Sequence, residues 1–287
     1  MAKRLPIIGF LARVYAKAQA DNVLDGAAAL AFYFIFAIFP AMIFLMALVP
    51  YLPIPRVDEA IMNFLAQALP SGATSVFADV VQEVTGERSG GLLSIGLIVA
   101  LWSASTGMYA VMQQLNIVYE VDEQRPFVRA RATALGLTLL FGVLVLAAFS
   151  LVVLGGVIET WLGDRFGLGE SLLLLFQIFR WVVIVLALML AFSVVFYAGP
   201  NRNQDFRFFS AGTVVAMTLL IAASYGFSVY TTHFGSYSAI YGSIGAVIIL
   251  ILSLYIVGLV LLIGGEINAA LERDAKSAQT ATGAPSQ

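Results

Sequence analysis

The sequence predicts an all-α integral membrane protein with six transmembrane helices, a fold class set by composition and by long uncharged runs. The chain has 287 residues, of which 61% are hydrophobic and only 11% charged. A soluble domain carries about 25% charged residues. The core of a soluble protein of this size could not bury so much apolar surface, so we infer that most of this protein is surrounded by lipid. Runs of about 20 apolar residues, the length that crosses a bilayer core of about 30 Å, recur along the chain.

Six runs have the length and composition of a span, and they lie near 27–49, 91–118, 132–157, 172–198, 209–233 and 242–270. The last two form one uncharged stretch from Arg207 to Glu266, which is too long for a single crossing. Gly235–Gly242 reads as a turn-like break that divides it. We therefore predict one transmembrane domain over 1–275, followed by a disordered tail over 276–287, where Ala, Thr, Ser, Gly and Pro predominate.

Two shorter amphipathic segments lie outside the spans. Apolar residues recur at helical spacing between Ile7 and Ala18, which predicts a helix lying in the membrane surface; a short soluble cap helix is the alternative. Residues 57–90 show two further helical patterns separated by Pro70-Ser71-Gly72, which predicts a helical hairpin over the extracytoplasmic face.

Lysines and arginines concentrate on one side of this arrangement, namely the N-terminus, the second and fourth loops and the tail. The opposite side holds only Arg56, Arg88 and Arg165. Because cytoplasmic loops carry the excess of positive charge, we predict that both termini are cytoplasmic.

The composition also argues against several classes of function. A net charge of −2 is unlike the basic field of a nucleic-acid-binding protein. No cysteine and a single histidine, His233, leave no Cys-ligated metal and make a His-based metal site or Ser-His catalysis a poor fit. We therefore expect no nucleic-acid partner, metal, cofactor or catalytic residue, and we expect that the protein is not an enzyme.

Arg180 is the one formal charge placed well inside a predicted span, near the outer end of the fourth. A charge at that depth is costly and faces a partner or a water-filled cavity, unless the side chain extends to the interface. A guanidinium there suits an anionic headgroup. Tyr230, Tyr237, Tyr241 and Ser243 are predicted at the same outer level and complete a hypothetical substrate site, although an interfacial aromatic belt also explains the tyrosines.

A second polar cluster is predicted at the cytoplasmic ends of the helices. It comprises Asp25, Asn116, Arg125, Asn201, Arg202, Glu266 and Asn268. Asn116 lies inside the apolar limit of its span and needs a hydrogen-bond partner. Asp122 and Glu123 are interpreted as solvated loop charges. We predict a structural role for the cluster, with Glu266 paired to Arg125 or Arg202.

Several short segments carry a specific resemblance. They are Asp25–Tyr33 running to Phe39-Pro40, Leu101–Ser105, Leu115-Asn116 with Tyr119-Glu120 and Arg125-Pro126, Tyr197 with Pro200-Asn201, Tyr241–Ser243, and Leu262–Asn268. In this order and spacing the chain resembles the YihY/virulence factor BrkB family, inner-membrane proteins formerly labelled ribonuclease BN-like. The resemblance implies six helices and the bacterial inner membrane, with an association of some members with lipid movement but no settled biochemistry.

Two functions follow as hypotheses. The first is a transporter or flippase of an anionic lipid or similar amphiphile, with membrane lipids as partners; the second is a non-transporting scaffold for cell-envelope assembly. Arg180 packed against a protein carboxylate, with no groove reaching it, would favour the scaffold. A homo-oligomer stays open, because any glycine-rich helix face can serve as its interface.

Overall fold

The computed structural model describes residues 7–48, 90–166, 170–233 and 243–281. Every regular element in these ranges is an α-helix, which confirms the predicted fold class. In chain order the helices are α1 (Ile7–Ala20), α2 (Val23–Leu48), α3 (Gly90–Val118), α4 (Phe127–Phe166), α5 (Glu170–Ala198), α6 (Ala211–His233) and α7 (Ser243–Ala281).

Five of these helices, α3 to α7, are each long and apolar enough to cross a membrane. Helices α1 and α2 meet the same criterion together, but the chain bends by 59° between them. The described residues therefore provide five candidate spans, or six when the bent pair is counted as one. The cytoplasmic location of both termini stays a prediction.

Two helices extend further than the apolar pattern indicates. Helix α4 begins at Phe127 and ends at Phe166, whereas the predicted span covers only 132–157. Helix α7 continues to Ala281, past residue 270 where the predicted span ends, and the disorder of the tail over 276–287 stays a prediction. Alanine is the best helix former, and no glycine or proline lies between Glu266 and Gly283, so nothing in the sequence ends the helix together with its apolar stretch. Residues 282–287 and residues 57–89 of the predicted hairpin lie outside the described part of the chain.

Helix α1 has the amphipathic form that the sequence predicts. Val14 is buried against Ile267 and Ala270 of α7. Ile8 and Tyr15 are 82% and 66% exposed, an apolar stripe without cover from the described residues. This stripe suits a helix resting on lipid, although its position in the membrane surface stays a prediction.

Helix α7 is the central helix of the bundle and packs against α1, α2, α3 and α6. The fully buried side chains of Leu30, Leu115 and Leu262 bring α2, α3 and α7 together. Against α6 the approach is closest at Gly212 and Gly264, where a Cβ on Gly212 would overlap the Gly264 carbonyl oxygen. Small residues permit such contact between membrane helices.

Buried residues of the described chain concentrate at one end of the bundle, where α2 and α6 begin and α3 and α5 end. We call this the polar end and define it by Lys17–Asp25, Asn116–Arg129, Tyr197–Thr213 and Glu266–Asp274. It is the end that the positive-inside rule assigns to the cytoplasm.

Candidate functional site at the polar end of the bundle

Arg125 fastens the loop after α3 to the end of α5. Its Nε and Nη2 atoms donate to the two carboxylate oxygens of Glu123 at 2.7 and 2.6 Å. Nη2 and Nη1 also donate to the carbonyl oxygens of Gly199 and Ala198, at 2.9 and 3.3 Å. The two side chains are 11% and 14% exposed. A planar guanidinium with several fixed donors is suited to holding two chain segments at once.

Asn116 joins the same two segments from within α3. Its Oδ1 accepts the backbone N–H of Asn201 at 2.7 Å, and its Nδ2 donates to Glu123 at 3.0 Å. The predicted need for a partner is therefore confirmed. The interpretation of Glu123 as a solvated loop charge is wrong, because its carboxylate is mostly buried and accepts hydrogen bonds from Arg125 and Asn116. The hydrogen bonds from Arg125 hold the pKa of this carboxyl below its ordinary value.

Glu120 ends α3 in a left-handed conformation, with φ of 55°. The Val121 N–H then donates to the Asn116 carbonyl at 2.9 Å, the closing bond of a helix end that usually requires glycine. The Glu120 carboxylate contacts Lys17 at 2.6 Å and Arg273 at 3.4 Å. The hydrogen bond from Lys17 lowers the pKa of Glu120. A strained acidic residue thus links α1, α3 and α7.

Arg202 binds Glu272 of α7, and its guanidinium lies 4.8 Å from the ring centre of Tyr119. Burial, together with the nearby Glu272 charge, raises the pKa of Tyr119 to about 12. The phenol is therefore neutral at physiological pH.

Asn268 connects α7 to the start of α6. Its Oδ1 accepts the Gly212 N–H at 2.7 Å, and its Nδ2 donates to Ser210 Oγ at 3.0 Å. The Ser210 hydroxyl in turn accepts the Thr213 N–H at 3.1 Å, as an N-cap serine does. Asn268 therefore satisfies a helix-end N–H that would otherwise be buried without an acceptor.

Glu266 is fully buried, and its nearest cation is Arg273 of the same helix, at 3.6 Å. The predicted pairing of Glu266 with Arg125 or Arg202 is wrong, since other carboxylates bind both arginines. Equal depth along the helices does not determine which way a side chain points around its helix.

Asp25, the remaining predicted member, lies exposed in the first turn of α2. It lines an open cavity of about 320 Å³ together with Asp21 and Gln114. Sequence reasoning missed Asp21 and Arg273. Their signal is helical spacing, because Asp21 follows Lys17 by four residues and Arg273 follows Glu266 by seven, which places each pair on one helix face.

A larger open cavity, of about 580 Å³, lies between the loops after α3 and α5. Its walls are formed by Gln124, Arg125, Pro126, Arg129, Thr133, Tyr197, Ala198, Pro200, Asn201, Arg202, Asn203 and Gln204. Three of these residues are arginines and none carries a carboxylate. We call it the arginine cavity.

Arg180, the predicted centre of an outer site, lies beside a carboxylate of the protein. Its Nη1 is 3.9 Å from Glu159 of α4, and its side chain packs over Gly155, where a Cβ would overlap it. Glu159 was missed because the predicted third span ended at residue 157. The other half of the criterion for a scaffold, the lack of a groove, involves residues outside the described ranges.

The aromatic residues of the predicted outer site are described only in part. Tyr230 stacks on Phe227 of its own helix, with ring centres 6.3 Å apart. Ser243 is the first residue of α7. Tyr237 and Tyr241 lie outside the described residues, so the outer site stays a prediction.

In the described part of the chain, five or six apolar helices are joined at one end by a network of charged and amide side chains, which defines a polytopic α-helical membrane protein. The chain belongs to the virulence factor BrkB family, whose sequence model matches residues 14–287. This confirms the resemblance found in the short motifs.

Curated relatives carry two kinds of name. The chain is 36% identical to the ribonuclease-like protein YfkH of Bacillus subtilis, over 94% of this chain and 97% of YfkH. It is 28% identical to a UPF0761 membrane protein of Alkalilimnicola ehrlichii, over 88% of this chain and 55% of that protein. For a UPF0761 membrane protein of Vibrio campbellii the identity is 26%, over 88% and 78%. No solved structure matches the chain.

Proposed function

We propose that this protein is a transporter or flippase of an anionic lipid or lipid-like amphiphile in the bacterial inner membrane, and that it is not an enzyme. The observation that carries the proposal is the arginine cavity, an open space of about 580 Å³ walled by three arginines and no acid. This moves the expected headgroup site from Arg180 to the polar end.

The three arginines have different freedom to meet a ligand. Arg125 and Arg202 are bound to Glu123 and Glu272. Arg129 is exposed, and its guanidinium makes no hydrogen bond or ion pair with the described residues. An arginine offers two parallel N–H donors to phosphate or carboxylate oxygens. Arg129 is therefore the residue on which we place recognition of an anionic headgroup.

Apolar surface adjoins this cationic wall. Phe127 and Val128, immediately before Arg129, are 68% and 77% exposed. Tyr197 forms part of the cavity wall and meets Phe206 edge to face, with ring centres 5.5 Å apart. A charged space beside uncovered apolar side chains fits a molecule with an anionic head and a hydrocarbon tail better than a free inorganic ion.

A non-transporting envelope scaffold is the second candidate, and the contact of Arg180 with Glu159 favours it. In that case Arg180 holds α4 to α5 and has no ligand. Ribonuclease activity is suggested only by the name of the relative YfkH. We propose no such activity here, because a net charge of −2 is unlike the strongly basic charge of proteins that bind RNA through its phosphates.

Reconstitution into liposomes that carry a fluorescent anionic lipid tests the proposal. We expect the protein to accelerate exchange between leaflets, Arg129→Gln to reduce the acceleration at least several-fold, and Arg180→Ala to leave it nearly unchanged. Arg207→Gln is the matched control, because Arg207 is also exposed on the predicted cytoplasmic side but lies outside the cavity wall. Exchange at the same rate in liposomes with and without protein would refute transport and leave the scaffold.

A further inference from the structure

Glu266 is the most unusual polar group in the described chain. Its side chain is 0% exposed, and neither carboxylate oxygen has a hydrogen-bond partner. Arg273 Nη2, at 3.6 Å, is too far away to donate a normal hydrogen bond. A buried carboxylate without donors is costly, so Glu266 requires a physical explanation.

A carboxyl group that faces Glu266 belongs to Asp21, in the bend between α1 and α2. Lys17 binds both Asp21 and Glu120, and Arg273 contacts both Glu120 and Glu266, so the three carboxyl groups share two cations. Asp21 Oδ1 accepts from Lys17 Nζ at 2.8 Å, while Asp21 Oδ2 is buried and has no partner. Ionised carboxylates only accept hydrogen bonds, so these two groups can bond to each other only when one of them carries a proton.

The balance of the surrounding charges is consistent with one bound proton. Lys17 and Arg273 are the cations that contact this group, and they face the carboxylates of Glu120, Asp21 and Glu266. Two positive and three negative charges leave one negative charge in excess, which a single proton would cancel.

The other groups around this cluster do not alter that balance. On the side of α3, Tyr119 faces Glu266 as a neutral phenol. Arg202 with Glu272 and Arg13 with Asp274 are ion pairs without net charge. Asp25 is exposed in the neighbouring cavity, where water can solvate it.

Protons have a route to the cluster. The open cavity of about 320 Å³ includes Asp21 in its wall, at the bend between α1 and α2. Asn22, the next residue, adopts a left-handed conformation with φ of 51°. The bend therefore places a carboxyl group between outside water and the buried Glu266.

We propose that Asp21 and Glu266 form a proton-binding site that holds one exchangeable proton between the two carboxyl groups. On release, the carboxylic O–H bond breaks, the proton passes to water in the adjoining cavity, and both groups become carboxylates. The resulting repulsion weakens the contact of the α1–α2 bend with α7. This proposal stands independently of lipid transport.

The variant Glu266→Gln distinguishes a shared proton from an ordinary ion pair. A glutamine amide donates to the Asp21 carboxylate as the protonated acid does, so we expect the variant to be folded and at least as stable as the wild type. If Glu266 is ionised and stabilised by Arg273, the same change removes an attraction and lowers stability, which would overturn the proposal. Asp274→Asn, which removes an ordinary exposed ion pair, is the control.

Infrared spectroscopy of the purified protein at neutral pH reads the proton directly. We expect a carbonyl band of a protonated carboxylic acid that shifts in deuterium oxide. It should be lost in Glu266→Gln and in Asp21→Asn, where the new amide solvates an ionised partner, and retained in Asp274→Asn. A wild-type spectrum without such a band, or a band unchanged in both variants, would contradict the proposal.

Spin labels measure the consequence for the bend. The natural chain has no cysteine, so single cysteines at the exposed positions Gln19 and Ala275 label α1 and α7 selectively. We expect the distance between labels to lengthen from acidic to alkaline pH in the wild type and in Asp274→Asn, and to stay short in Glu266→Gln. One pH-independent distance in all three proteins would refute the coupling of the proton to the bend.

Discussion

Substitution of Arg125 by alanine is the most demanding test of how the polar end is held together. Arg125 makes two hydrogen bonds to Glu123 and two to the carbonyl oxygens of Ala198 and Gly199, and it is 11% exposed. Its removal leaves a mostly buried carboxylate and two carbonyl groups without these donors. The wall of the arginine cavity depends on the same contacts.

The expected loss follows from this burial. Removing one partner of a buried charge pair costs about 3–5 kcal/mol. The loops border an open cavity, where water can take over part of the hydrogen bonding, so we expect about 3 kcal/mol for Arg125→Ala. Arg125→Lys keeps the charge but loses the planar fork, and we expect about half of that loss, about 1–2 kcal/mol.

Reversible unfolding in detergent, followed by circular dichroism, measures both values. Arg129→Gln is the control for loss of a cation from the same loop, and it should leave the unfolding free energy unchanged because Arg129 is exposed. A loss below about 1 kcal/mol for Arg125→Ala, the range of an exposed ion pair, would refute the account of this contact as a buried clamp.

Three further predictions concern neighbouring residues. The pKa of Glu123 is lower in the folded than in the unfolded protein, so its contribution is present above the ordinary glutamate pKa and is lost as pH falls through the folded value; acid titration of Glu123→Gln should show a weaker acid destabilisation than the wild type. Glu120→Gly removes the strain of a left-handed backbone, about 1–2 kcal/mol, but it also removes the contact with Lys17. Because these two effects oppose each other, the measured free energy of unfolding should change by less than the strain energy alone. Gly264→Leu places a side chain against Gly212 and should prevent stable folding, as loss of the monodisperse peak in size-exclusion chromatography would show, whereas substitution of the open Gly142 by alanine should be tolerated.

Most of the fold could be predicted from apolar periodicity, because lipid requires every spanning segment to satisfy its own backbone. The ends of the helices were predicted less accurately than their positions. Residues 276–281 lie beyond the apolar stretch, yet α7 continues through them, since a helix does not have to end where its hydrophobic residues end. Glu159 was missed for the same reason, because α4 extends past the predicted end of its span.

The candidate site was predicted less completely. Asn116 and Asn201 could be assigned to one cluster because topology gives each residue a depth, and the structure joins them directly. The partner of Glu266 could not be assigned in this way, because depth does not give the direction of a side chain around its helix. The arginine cavity was not predicted, since it arises from the approach of two loops that the sequence separates by about 75 residues.

Equilibrium binding of a short-chain anionic lipid to the purified protein tests most directly whether the arginine cavity recognises an anionic amphiphile. We expect saturable binding to the wild type, at least several-fold weaker binding to Arg129→Gln, and binding by Arg207→Gln equal to the wild type. A zwitterionic lipid of the same chain length should bind weakly to all three proteins. Equal affinities of the wild type and Arg129→Gln for the anionic lipid would contradict the account.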